Sequence, residues 1–147
     1  MSIAQRSAVT TWTGSLAAGG GSLASGSGAL AGLDVTWAAR TEQADGRTSP
    51  EELAAAAHSS CFAMALALRL GEAHASAPTL RVEATVTLDE VDGAPTIISS
   101  QLIVRAKVSG VTGERFQRAV DEAAALCPVS RLFAGARISI EALLDPS

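Results

Sequence analysis

The chain has 147 residues, 48% of them hydrophobic but only 3% aromatic, and a formal net charge of -4. A chain of this length supports one domain, spanning residues 1–147, whose fold buries roughly 70% of the surface its unfolded form exposes. With no tyrosine, that core has to be aliphatic, and 11 Lys and Arg spread along an acidic chain leave no basic patch for a nucleic-acid partner.

The opening MSIAQRSAVTTWTG lacks the apolar centre of a secretion signal, so the expected location is the cytoplasm. Residues 8–40 are rich in Gly, Ser and Thr, and short pieces such as AVTTWTG, GSLASGSG and LDVTWAAR predict a meander of antiparallel strands. The glycines at 19–21 read as a turn within it. A polar loop, TEQADGRTS, follows.

Ser49 then has the marks of a helix start: a serine cap, Pro50 in the first helical position, and Glu52 placed to complete a capping box. The predicted helix runs to about Leu70, with Gly71 ending it. Because it is apolar on every side between its ends, it is expected to be covered from several directions as a central helix. Its longest uncharged run, 53–68, is shorter than the roughly 20 residues of a membrane span and includes His58, Ser59 and Ser60, so no membrane partner is expected.

Alternation from Leu80 to Leu88 and the extended piece IISSQLIVRAKV, separated by VDGAP, predict a hairpin. Helical spacing returns over 113–127 through Phe116, Ala119, Val120 and Ala123, and Pro128 blocks its continuation. RISIEALL, 137–144, is a predicted strand.

The chain has two cysteines, one in its most apolar segment. Two thiols in a reducing compartment suit a transient redox pair better than a permanent staple. Cys61 is too far into its helix for the helix dipole to activate it, so a reactive thiolate there needs a cation from elsewhere. A free cysteine is equally often a small buried hydrophobe. Cys127, at a helix end before Pro128, stands where a backbone break lets a thiol face a cavity or a second thiol. His58, one turn before Cys61, invites a Cys-His reading, but a lone histidine on a packed helix is more often a hydrogen-bonded core residue. No metal is expected, because two histidines and two cysteines lack the close ligand pairs of zinc sites.

TSPEELAAAAHSSCFAMAL followed by CPVS resembles the OsmC/Ohr family of small thiol peroxidases that reduce organic hydroperoxides, and its OsmC branch in particular. The resemblance implies an α+β fold with antiparallel sheets wrapped around long central helices, and an intertwined homodimer. It also implies that Cys61 is the peroxidatic thiolate, that Cys127 resolves its sulfenic acid as a disulfide, and that Arg40 with Glu51 is the polar pair that activates the attack. A guanidinium can hold thiolate and departing alkoxide together while a carboxylate fixes its fork. The resemblance favours Arg40, read as ending the strand LDVTWAAR, over its rival Arg47 in the loop. Glu51 is the freer glutamate, since Glu52 is committed to the capping box.

On a straight helix Glu51 and Cys61 are roughly 15 Å apart, so they meet only if two helices pair antiparallel about a twofold axis near Ala56. This predicts a homodimer with composite sites. No bound cofactor is expected, and the family's reductant is an external dithiol, dihydrolipoamide. Apolar neighbours of the thiols, Phe62, Met64, Leu132 and Phe133, suit an alkyl or fatty-acid hydroperoxide or merely pack the core. The alternatives are a non-catalytic ligand-binding protein of the same fold and a redox sensor.

Overall fold

A computed structural model describes residues 1–146, with side chains described in that range except at 76–78. It divides into two compact units, Met1–Leu53 and Ala54–Ser147.

In the first unit, strands β1 (Ala8–Thr13), β2 (Gly20–Ser25) and β3 (Leu33–Val35) form an antiparallel sheet in that order. The glycines at 19–21 are not the turn. Gly14 turns the chain at φ 91°, and β2 already begins at Gly20. Gly21 pairs with Trp12 on one side and Val35 on the other. A Cβ there would meet Val35 Cγ2 at 2.8 Å and Thr10 Cγ2 at 2.9 Å, so only glycine lets these side chains close over the strand.

LDVTWAAR is not a single strand either. β3 stops at Val35, and Thr36 caps a short helix α1 (Trp37–Thr41), its hydroxyl accepting from the Ala39 amide at 3.0 Å. A threonine before Trp-Ala-Ala-Arg is a capping signal, and Ala and Arg are good helix formers, so Arg40 lies in a helix rather than at a strand end. The unit closes with the first turn of α2 (Pro50–Glu72), where Ser49 Oγ accepts from the Glu52 amide at 3.1 Å.

The second unit contains the rest of α2. The helix passes through Gly71 and ends where His74 turns left-handed at φ 57°. The Ala75 amide then reaches the Leu70 carbonyl at 3.0 Å and the His74 amide the Gly71 carbonyl at 3.0 Å, a Schellman closure with histidine in the place glycine usually takes. Next comes the hairpin of β4 (Ser76–Val91) and β5 (Ala94–Ser109), turned by Asp92 and Gly93, both at positive φ. Helix α3 (Gly113–Leu126) and a short α4 (Pro128–Leu132) lead to β6 (Arg137–Leu144), which pairs parallel with β5. Pro128 disfavours helical backbone at the residue before it, and Cys127 accordingly sits at φ -60°, ψ 113°, between α3 and α4.

The core of this unit joins Phe62, Leu66 and Leu70 of α2 to Leu102 and Val104 of β5 and to Phe116 and Val120 of α3. Only that stripe of α2 is covered. Ala56, Ala57, Ser60, Met64, Ala67 and Leu68 are exposed, so a helix expected to be covered from several directions is covered within one chain on one face. At 23 residues α2 is also long and apolar enough to cross a membrane by length and composition, which the uncharged run alone did not suggest.

Candidate active site

In the first unit Arg40 and Glu51 meet in a forked ion pair. Arg40 Nε donates to Glu51 Oε1 at 3.0 Å and Oε2 at 3.1 Å, and Nη2 donates to Oε1 at 2.7 Å. Two short pieces of sequence set this up: the Thr36 cap starts α1 and brings Arg40 to its last turn, and the Ser49 cap puts Glu51 in the first turn of α2. Glu52 is spent differently, accepting from the Thr48 hydroxyl at 2.6 Å rather than reaching back to the backbone of Ser49. Arg47 is half-exposed and 3.6 Å from the exposed Asp45. The guanidinium of Arg40 lies 5.9 Å from the centre of the Trp37 ring. It also lines a cavity of about 350 Å³ whose other walls include Trp12, Leu16, Leu23, Val35 and Trp37. Both of the chain's tryptophans are spent on this cavity. Neither tryptophan stands in a motif that marks it in the sequence.

The second unit holds both thiols, unbonded. Cys127 is fully buried in the core, and Cys61 is half-buried, packed against that core and near Cys127. At 100° per residue Cys61 stands at the border between the covered stripe of α2 and its open face. Four influences act on its thiol, and burial is the largest, pushing it up from the ordinary value. The Val129 amide, in the first turn of α4, donates to the sulfur and pulls it down; the hydrogen bond with Cys127 and that group's charge push it up again. The net direction is upward. Within this unit the thiol is therefore kept protonated, and a thiolate requires a positive charge brought from outside it.

His58 is fully buried among partners the sequence did not single out. Its Nδ1 is 2.6 Å from Ser100 Oγ on β5, its Nε2 is 2.8 Å from Ser130 Oγ on α4, and its ring stacks on Phe133 at 5.1 Å. With both nitrogens engaged, no ring atom is left to activate Cys61. Burial lowers its pKa from the ordinary value and keeps the ring neutral. Of the apolar residues expected around the thiols, Phe62 is at 0% exposure in the core, Met64 and Leu132 are open to solvent at 74% and 81%, and Phe133 covers His58. Among the described residues no three His, Cys, Asp or Glu side chains converge as a metal site.

Residues 43–142 match the family described as OsmC-like protein. Over 85 residues the chain is 41% identical to peroxiredoxin OsmC of Escherichia coli strain K12; the match covers 58% of this chain and 59% of that protein, less than two thirds of its length. Among solved structures, the organic hydroperoxide resistance protein OhrB of Bacillus subtilis superposes with a TM-score of 0.65 at 26% identity, covering 95% of this chain and 98% of that one. An organic hydroperoxide resistance protein OsmC from Legionella pneumophila superposes with a TM-score of 0.72 at 18% identity, over 99% of this chain and 100% of that one, a likeness of fold.

Proposed function

Because the chain belongs to the OsmC-like family, with the α+β fold of the OsmC/Ohr structures, we propose that it is a thiol peroxidase that reduces organic hydroperoxides to alcohols. The observation that carries this reading is the nearness of a half-buried Cys61 to a buried Cys127, both free.

In the proposed cycle the Cys61 thiolate attacks the hydroperoxide, the O–O bond breaks, and the alkoxide leaves to take up a proton while Cys61 becomes a sulfenic acid. The Cys127 sulfur then bonds to Cys61, and the sulfenic oxygen leaves as water with the thiol proton. An external dithiol, dihydrolipoamide by family resemblance, exchanges with that disulfide and restores both thiols. Arg40 supplies the positive charge that the surroundings of Cys61 lack, and Glu51 holds its fork in place.

The same reading includes a homodimer paired across the open face of α2, in which Arg40 and Glu51 of one chain serve Cys61 of the other. It puts the protein in the reducing cytoplasm, where a resting dithiol is stable. The cavity beside Arg40, walled by Trp12, Leu16 and Trp37, has the apolar character that would hold an alkyl tail.

The alternative is a non-catalytic, ligand-binding protein, in keeping with burial that pushes the Cys61 thiol up within one chain. A single experiment separates the two. Reduced protein is treated with one equivalent of an alkyl hydroperoxide, and in parallel with hydrogen peroxide, and its intact mass and free thiols are measured. The peroxidase loses two hydrogens and both thiols, faster with the alkyl peroxide. Unchanged mass and two remaining thiols would leave only the binding reading.

A further inference from the structure

His58 and Ser130 repeat, one turn away, the pairing of the two cysteines. His58 stands three residues before Cys61 on α2, and Ser130 three residues after Cys127 on α4. The imidazole therefore joins the segment that carries one thiol to the segment that carries the other. Its second nitrogen is tied to Ser100 on β5, so the joint is braced against the sheet.

The donors and acceptors assign its direction. A neutral imidazole has one N–H, so it donates to one serine and accepts from the other. Ser100 is completely buried, and Nδ1 is its one partner among the described residues. Its hydroxyl proton would be stranded unless it points at Nδ1, and a stranded buried donor is costly. Ser100 thus donates to Nδ1, and Nε2–H donates to Ser130 Oγ.

We propose that His58 is a positioning residue for disulfide closure: through its Nε2–H bond to Ser130 it holds Cys127 where it can reach the oxidised sulfur of Cys61. The inference rests on the reading of these cysteines as a redox pair. His58 touches neither the peroxide nor the sulfurs in this role, so it acts on the second step and leaves the first alone. Closure between two held groups is fast because neither has to be found by diffusion, and a displacement of about 1 Å can cost on the order of a hundredfold.

Two amides dissect the ring. In His58→Gln the side-chain amide extends toward the place of Nε2 and can keep the bond to Ser130; in His58→Asn it ends near Nδ1 and keeps Ser100 at best. Ser130→Ala removes the same bond from the other side. Reduced proteins are mixed with oxidised glutathione, which first bonds to Cys61 and releases one reduced glutathione. Cys127 then displaces the second glutathione and leaves the protein disulfide. Both steps are followed by quenching and intact mass.

The expected result is an unchanged first step in every variant. Closure should be near the wild-type rate in His58→Gln and about tenfold or more slower in His58→Asn and Ser130→Ala. Wild-type closure rates in the latter two would overturn the proposal. So would equal slowing of all three variants in step with their melting temperatures, which is a packing effect, and so would a wild type that stops at the mixed disulfide. Repeating the series with an alkyl hydroperoxide keeps the two readings apart. Thiols untouched by peroxide in a wild type that closes with glutathione refute the peroxidase and leave the role of His58 standing.

Discussion

Replacing Glu51 with glutamine changes the shape of the Arg40 pair very little and its charge completely. Three contacts hold the fork, and the carboxylate side chain is only 10% exposed against 30% for the arginine. That places the pair between a surface ion pair, worth about 0–1 kcal/mol, and a fully buried one, whose disruption costs about 3–5 kcal/mol. A glutamine oxygen still accepts from the guanidinium, but the carboxylate charge and one acceptor oxygen are gone, and that loss costs about 1–2 kcal/mol. For a chain of this size the melting temperature should fall by roughly 2–8 °C.

Such a loss leaves the protein folded, since net stabilities are about 5–15 kcal/mol, so unfolding cannot account for any fall in activity. Peroxide reduction should nonetheless drop about a hundredfold, because an unfixed guanidinium is no longer held where charge develops. Melting by circular dichroism and turnover with an alkyl hydroperoxide measure the two effects on the same preparation. Glu52→Gln, at the carboxylate spent on Thr48, is the control and should keep full turnover. Turnover within twofold of wild type in Glu51→Gln, with the melting temperature lowered as calculated, would refute the reasoning and reduce the pair to a brace.

Three further outcomes follow from other parts of the molecule. Burial lowers the pKa of His58, so the unfolded chain takes up this proton first; the histidine's contribution to stability is complete above about pH 6.5 and is lost as the pH falls below it. Urea titrations between pH 7 and 5 should show a slope of at most about 1.4 kcal/mol per pH unit from this group, absent in His58→Gln. Phe62→Ala empties a fully buried ring from the centre of the second unit and should cost about 3–5 kcal/mol in urea unfolding. Met64→Asp, on the open face of α2 at 74% exposure, should leave the fold intact and halve the mass seen by sedimentation velocity; an unchanged mass would rule out that face as the dimer interface.

What could be read from the sequence is local chemistry. The Ser49-Pro50 start of α2, the Asp92-Gly93 turn and the alternation in RISIEALL each depend on neighbours in the chain, and each element stands where its signal put it. The end of α2 was misread because Gly71 looked like a stop, whereas the backbone turns left-handed at His74, where a histidine tolerates that conformation less readily than glycine. α1 was hidden because Thr-Trp, read alone, favours a strand; the cap became visible only with the helix formers after it. The pairing of Arg40 with Glu51 was implied by the family resemblance, and the capping box only singled out Glu51 from Glu52. The partners of His58 were not legible, since Ser100 and Ser130 carry no pattern of their own and come together only through the sheet and the turn at Pro128.

The parallel pairing of β5 with β6 also bears on the order in which this chain assembles. Ser99 faces Arg137 and Ala106 faces Leu144, partners separated by the whole of α3 and α4. Contacts so far apart in sequence form late, after the closure entropy of the intervening loop has been overcome, whereas α2 forms from neighbours. By that order the helix carrying Cys61 forms before the strap carrying Cys127 is fastened at its far end. On the proposed cycle a sulfenic acid formed on Cys61 at this stage would lack its resolving thiol and be open to the irreversible sulfinic product.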